Sequence, residues 1–137
     1  MNFTNAVFPG PEQVKAFFCG AEDGPFVMIN LLKFKERAEY ADGAEPELSG
    51  RDAYGRYGAA VQACLASVGA RSLYAGAVTE IMLGEIDELW DMVALAEYPS
   101  RAAMMLMVSS EEYLAIEKHR VAGLAGQLNI RTKAIGK

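Results

Sequence analysis

The sequence predicts an α+β domain with the element order β-α-β-β-α-β, four antiparallel strands carrying two main helices on one face. Three observations predict it. Segments that alternate with a period of two, such as "FVMINLLKF", are interleaved with segments of helical period, such as "YGRYGAAVQACLASV". Two strand-like segments follow one another with no helical segment between them. The chain of 137 residues is 52% hydrophobic, which suits one domain, residues 1–137, with an ample core.

Each element has its own signal. "PGPEQVKAFFCG" predicts a short N-terminal helix: Pro11 suits the first turn, Gly20 the stop, and Val14, Phe17 and Phe18 form its apolar face. The first strand runs from Phe26 to about Phe34, with Val27, Ile29 and Leu31 on one face and Met28, Asn30 and Leu32 on the other. Residues 36–50, punctuated by Gly43, Pro46 and Gly50, predict a long loop that serves as a lid, a partner arm or a surface excursion. "RDAYGRYGAAVQACLASVGA" predicts a helix capped by Ser49 or Asp52, with Tyr54, Tyr57, Val61, Leu65 and Val68 along one face and Gly69 as its stop.

The second half echoes the first. "RSLYAGAVTEIMLG" predicts a strand bent near Gly76, "EID" a turn, and "ELWDMVALAEY" a third strand. So short a turn predicts an antiparallel hairpin. "PSRAAMMLMVSSEEYLAIEKHRVAGLAGQ" predicts an interrupted helix. Pro99 sits in its first turn, Ser100 helps to cap it, and Ser109 or Ser110 restarts it ahead of Glu111 and Glu112. "QLNIRTKA" is a short fourth strand. This order is the split βαβ pattern of ferredoxin-like domains. With both helices on one face, the other sheet face is bare and apolar. The economical cover is a second copy packed face to face, a homodimer with two-fold symmetry.

Composition excludes several function classes. The net charge is −5 with a pI near 4.9, and the positive charges are scattered. Nucleic acid and anionic membrane surfaces need a basic footprint, so neither is an expected partner. Cys19 and Cys64 have no metal-ligand spacing and are expected as free thiols. The N-terminus lacks the pattern of a signal peptide, and "AAMMLMV" is far shorter than a membrane span. A soluble cytoplasmic protein is expected. No phosphate-binding, dinucleotide-binding or nucleophile-elbow motif is present. His119 is the only histidine, so one chain cannot build a two-histidine metal site. Glu85, Asp87, Glu88 and Asp91 are expected to be a solvated turn rather than a cation site. No metal and no cofactor are expected.

The candidate site starts from Asn30, an amide inside an apolar strand. Burying it unpartnered costs roughly 2–7 kcal/mol, so it bonds its scaffold, faces water or points into a pocket. Tyr54 and Tyr57 lie on the apolar stripe of the first long helix, and buried phenols seek partners. Together these residues describe a small-molecule pocket between sheet and helices, against the alternative of tyrosines at the rim of an ordinary core. Asn30, Tyr54 and Tyr57 would orient a carbonyl or phenolic group, and His119 or a tyrosine would move a proton. Trp90, Tyr98, Arg120 and Met105 would line the substrate space, Arg120 as a fork for a carboxylate and Met105 as a deformable wall. The chemistry expected of such a site is oxygenation or isomerisation without a metal. A non-catalytic ligand-binding or structural dimer is the alternative.

"GPFVMINLLKFK", "YGRYG", "WDMVALAEYPSRAA" and "EEYLAIEKHR", in that order, resemble the bacterial domain of unknown function 1330 family. The resemblance runs from about Pro9 to Arg131, and "MINLLKF" and "YPSRAA" are its most specific parts. It implies a ferredoxin-like fold of the dimeric α/β-barrel class and supplies no established activity. That wider class includes cofactor-independent monooxygenases, haem-degrading enzymes, isomerases and lactone-forming enzymes. Asn30 falls where some haem-degrading members carry a first-strand asparagine. Their tryptophan and histidine positions fall near Met107 and Glu117, so haem chemistry is not implied for this chain.

Overall fold

The computed structural model describes residues 1–136. The elements are α1 (Pro11–Phe18), β1 (Phe26–Phe34), α2 (Gly50–Ser67), β2 (Arg71–Ala77), β3 (Met92–Tyr98), α3 (Arg101–Val108), α4 (Glu111–Gly123) and β4 (Leu124–Thr132). The four strands form one antiparallel sheet in the order β2-β3-β1-β4. This is the strand order of a split βαβ domain, with β1 and β3 inside and β2 and β4 at the edges.

Side-chain alternation on β1 decides where everything else goes. Phe26 and Met28 pack against Val61, Cys64 and Leu65 of α2, Met107 of α3 and Tyr113 of α4. Leu32 packs against Tyr54 and Leu124. The even-numbered face of β1, Asn30 included, therefore faces the helices. Val27, Ile29, Leu31 and Lys33 face the other way. Register places Val93 and Leu95 of β3, Leu128 and Ile130 of β4, and Tyr74 of β2 beside them on that open face.

Capping follows serine chemistry. Ser49, Ser100 and Ser110 each accept a backbone N–H from the first turn of α2, α3 and α4, each such cap worth ~1 kcal/mol. Ser100 occupies the cap position itself, so Pro99 precedes α3 rather than forming its first turn. Gly69, at φ 76°, ends α2. The N-terminal end of α2 crosses the C-terminal end of α4 at Gly50 and Gly123, where a Cβ on Gly123 would stand 2.5 Å from the Gly50 carbonyl oxygen.

The hairpin expectation needs correction. β2 stops at Ala77 and β3 starts at Met92, so the strands are shorter than their apolar character suggests. Residues 78–91 form a long connection rather than a tight turn. The register irregularity of β2 lies between Ser72 and Tyr74, not at Gly76. Likewise β4 begins at Leu124, earlier than the "QLNIRTKA" stretch, because α4 ends at Gly123. The loop of residues 36–50 packs on its own chain: Ala38 N donates to the Leu48 carbonyl, and Glu39 N donates to the Ala122 carbonyl.

Candidate functional site

Four tyrosines and one arginine are packed into the interior between sheet and helices. Tyr54 and Tyr57 descend from α2, their rings 5.3 Å apart. Tyr113 comes from α4, and its hydroxyl lies 3.0 Å from that of Tyr57. Tyr98, at the end of β3, stacks on Phe26 at 5.5 Å. Arg120, one of the residues in the last turn of α4, is the buried cation of this interior at 8% exposure.

Burial holds every one of these phenols protonated. The Tyr54 hydroxyl is pushed up to about 12, against the opposing pull of the Arg120 charge. Burial also raises Tyr57, Tyr98 and Tyr113, and the neighbouring phenols reinforce this for Tyr57 and Tyr98. The groups are therefore close enough to feel one another's charge. At neutral pH they serve as hydrogen-bond donors, and not as bases. The enclosed side-chain polar atoms without a partner among the described residues are Arg120 Nε and Arg131 Nε.

Asn30 borders this space with its amide engaged. Nδ2 donates to the Ala94 carbonyl at 3.2 Å, and Oδ1 accepts from Gln127 Nε2 at 2.8 Å and from Asn129 Nδ2. Gln127 Oε1 in turn accepts from Arg120 Nη1 at 2.8 Å. One chain of bonds thus runs Arg120, Gln127, Asn30, Ala94 across α4, β4, β1 and β3. Its members orient one another, and Gln127, able to donate and accept at once, is the joint.

The remaining predicted residues lie elsewhere. His119 turns to the loop of residues 36–50, where its Nδ1 lies 2.7 Å from the Tyr40 hydroxyl. Arg56 Nη1 donates to the same hydroxyl at 3.4 Å, and Nη1 and Nη2 grip the Glu45 carboxylate at 2.7 and 2.8 Å. Desolvation, with Lys118 and Arg56 nearby, lowers the His119 pKa. None of these groups is a partner of Asn30. Trp90 falls just before β3, half-buried, with its ring 6.1 Å from Phe3 of the N-terminal segment. Met105 is exposed on α3 and accepts from the Ser109 hydroxyl at 3.5 Å. Of the acidic turn, Glu88 and Asp91 each stand 3.5 Å from Lys33 Nζ. Among the described residues no cluster of acidic, cysteine or histidine side chains has the makings of a metal site. No helix among them is long and apolar enough to cross a membrane.

Two site residues escape the sequence argument. Tyr113 continues an i, i+3, i+7 row with Ile116 and Arg120 and was within reach of a stripe analysis. Gln127 has no local signal, since its partner Asn30 is 97 positions away.

Strand order, helix placement and an unbroken open sheet face define a ferredoxin-like α+β protein. The chain belongs to the family described as domain of unknown function (DUF1330), whose profile matches residues 31–132. It is similar to RPA0582, a protein of unknown function from Rhodopseudomonas palustris. The two chains are 31% identical with a TM-score of 0.87, covering 98% of this chain and 100% of that one. A methylated form of RPA0582 gives the same TM-score and coverage at 34% identity. A dimeric protein of unknown function with a ferredoxin-like fold from Bacteroides fragilis is 15% identical with a TM-score of 0.54, covering 81% of this chain and 97% of that one; it shares the fold alone. No curated protein matches the chain.

Proposed function

We propose that the protein is a homodimer that binds one small organic molecule per protomer, between the sheet and the helices. The observation that carries the reading is the meeting of the Tyr57 and Tyr113 hydroxyls beside Tyr54, in an interior where Arg120 Nε is enclosed and unpartnered among the described residues. Buried phenols seek partners, and an apolar interior with a few convergent polar groups is what small ligands occupy.

The homodimer follows from the open face. Val27, Ile29, Leu31, Val93, Leu95, Leu128 and Ile130 form an apolar surface with Lys33, Arg71, Glu97 and Thr132 at its margins. Beside it, the connection of residues 78–91 exposes Ile81, Met82 and Leu83, and Met82 and Leu83 are almost wholly in solvent. An apolar sheet with an apolar arm at its edge suits a second copy that the arm embraces. The dimeric state named for the Bacteroides fragilis structure agrees with this arrangement.

Binding is the part of the reading that the geometry favours. Protonated phenols can polarise a carbonyl or phenolic oxygen, as a cofactor-independent oxygenase or isomerase requires. Asn30, with its oxygen doubly bonded and its nitrogen on Ala94, serves as the scaffold of that surface. His119, bonded to Tyr40, is not placed to serve the phenols.

Solvent extraction of the purified protein, followed by mass spectrometry, tests the reading. One small molecule per protomer is expected, and it should be lost or depleted in Tyr54→Phe with the melting temperature little changed. Recovery from Tyr54→Phe equal to that from the parent would contradict an interior site.

A further inference from the structure

Arg120 carries a charge that its surroundings only half use. Nη1 donates to Gln127 Oε1 at 2.8 Å and Nη2 to the Val7 carbonyl at 2.7 Å. Nε is fully enclosed and has no partner among the described residues. Glu117 Oε2 stands 3.9 Å from Nη2, beyond hydrogen-bond reach. Buried guanidinium groups are ordinarily matched by an anion that satisfies their donors.

Nε and Nη2 share one edge of the planar guanidinium, the edge that a carboxylate grips with two parallel bonds. On that edge one donor is orphaned and the other is held by a neutral peptide carbonyl. The carbonyl belongs to a lightly tied segment. Ala6 N reaches the Gln127 carbonyl at 3.3 Å in an isolated bridge. Phe8 lies over the guanidinium at 5.4 Å while itself 55% exposed.

We propose that Arg120 anchors the carboxylate of a small organic acid through Nε and Nη2, and that residues 6–8 are a strap whose Val7 carbonyl yields that place to the acid. The inference rests on the small-molecule reading above and names its ligand class. Gln127, held by Asn30, fixes the guanidinium plane through Nη1 and acts as a positioning residue. A carboxylate suits this edge because its two oxygens match the two parallel donors Nε and Nη2. The body of the acid would lie toward Tyr54 and Tyr113, both of which feel the Arg120 charge.

NMR titration of the full chain tests the proposal, with benzoate and hexanoate as probes and their neutral amides as controls. The acids should shift the Arg120 Nε–H signal and the Ala6 and Phe8 amides, with affinities about tenfold or more above those of the amides. Arg120→Lys, which keeps the charge and loses the fork, should abolish that preference. Ala6→Pro removes the N–H of the Gln127 bridge without touching the core, and should tighten acid binding about threefold or more. Acids and amides bound alike, with Arg120 Nε–H unmoved and Tyr54 and Tyr98 signals shifted, would overturn the carboxylate anchor and leave the interior site standing. Acids that shift Arg120 but neither tyrosine would uphold the anchor and overturn the interior site. Silence from both probe pairs would overturn the proposal, and unchanged affinity in Ala6→Pro would overturn the strap.

Discussion

The Gln127 side chain donates to Asn30 Oδ1 at 2.8 Å, joining two neighbouring strands on the face beneath the helices. Asn30→Ala would strand this donor and the acceptor lone pair of Ala94. A loss of ~1–3 kcal/mol is expected, the usual cost of unpaired buried groups. Urea unfolding with an unchanged denaturant slope is the check. Stability equal to the parent would mean that water already serves these groups.

Ile29 lies on the open face of the central strand β1, opposite Leu95 and Ile130. Ile29→Lys should give a folded monomer where the parent scatters light as a dimer, because a charge at the centre of an apolar interface is left unpaired. Equal masses for variant and parent would exclude this face as the interface.

The phenols predict an alkaline transition. In the unfolded chain a tyrosine ionises near ~10, whereas in the fold Tyr54 holds its proton to about 12 and Tyr57, Tyr98 and Tyr113 are also raised. Above that unfolded value the unfolded state binds fewer protons, so stability falls as pH rises. Their contribution is therefore full below about pH 9. It declines from about pH 10 upward, by up to ~1.4 kcal/mol per pH unit for each phenol still protonated. Urea midpoints measured from neutral to strongly alkaline pH should stay level and then drop. A level profile throughout would place these hydroxyls in water.

Gly123 lets α4 cross α2 without a side chain between them. A Cβ there would meet the Gly50 carbonyl oxygen at 2.5 Å and the Tyr54 backbone nitrogen at 2.9 Å. Backbone atoms cannot step aside cheaply, so Gly123→Ala should cost ~1–3 kcal/mol. Thermal unfolding measures it, and a variant as stable as the parent would show the crossing to be looser.

The order of elements was legible because periodicity and punctuation are local. The Tyr54, Tyr57, Val61, Leu65 row, the serine caps and the alternation of β1 each announce themselves within a few residues. The length of the β2–β3 connection was not, because residues 78–91 are apolar enough to mimic strand while no partner pairs with them as a ladder. That is why Trp90 left the predicted strand. For the site, Asn30, Tyr54, Tyr57, Tyr98 and Arg120 carried sequence signals of their own. Gln127, and the bond of Tyr40 to His119, depend on contacts 97 and 79 positions apart, which no local pattern encodes. His119 illustrates the limit: one helical position separates it from Arg120, yet the two side chains face different neighbours.

A crystal structure of the protein as purified, at neutral pH, tests the central claim most directly. The account predicts density for a small molecule among Tyr54, Tyr113 and Arg120, in protomers paired through their open sheet faces. Tyr54 and Tyr98 hydroxyls bonded to protein groups in a filled interior, with the sheet faces open to solvent, would contradict it.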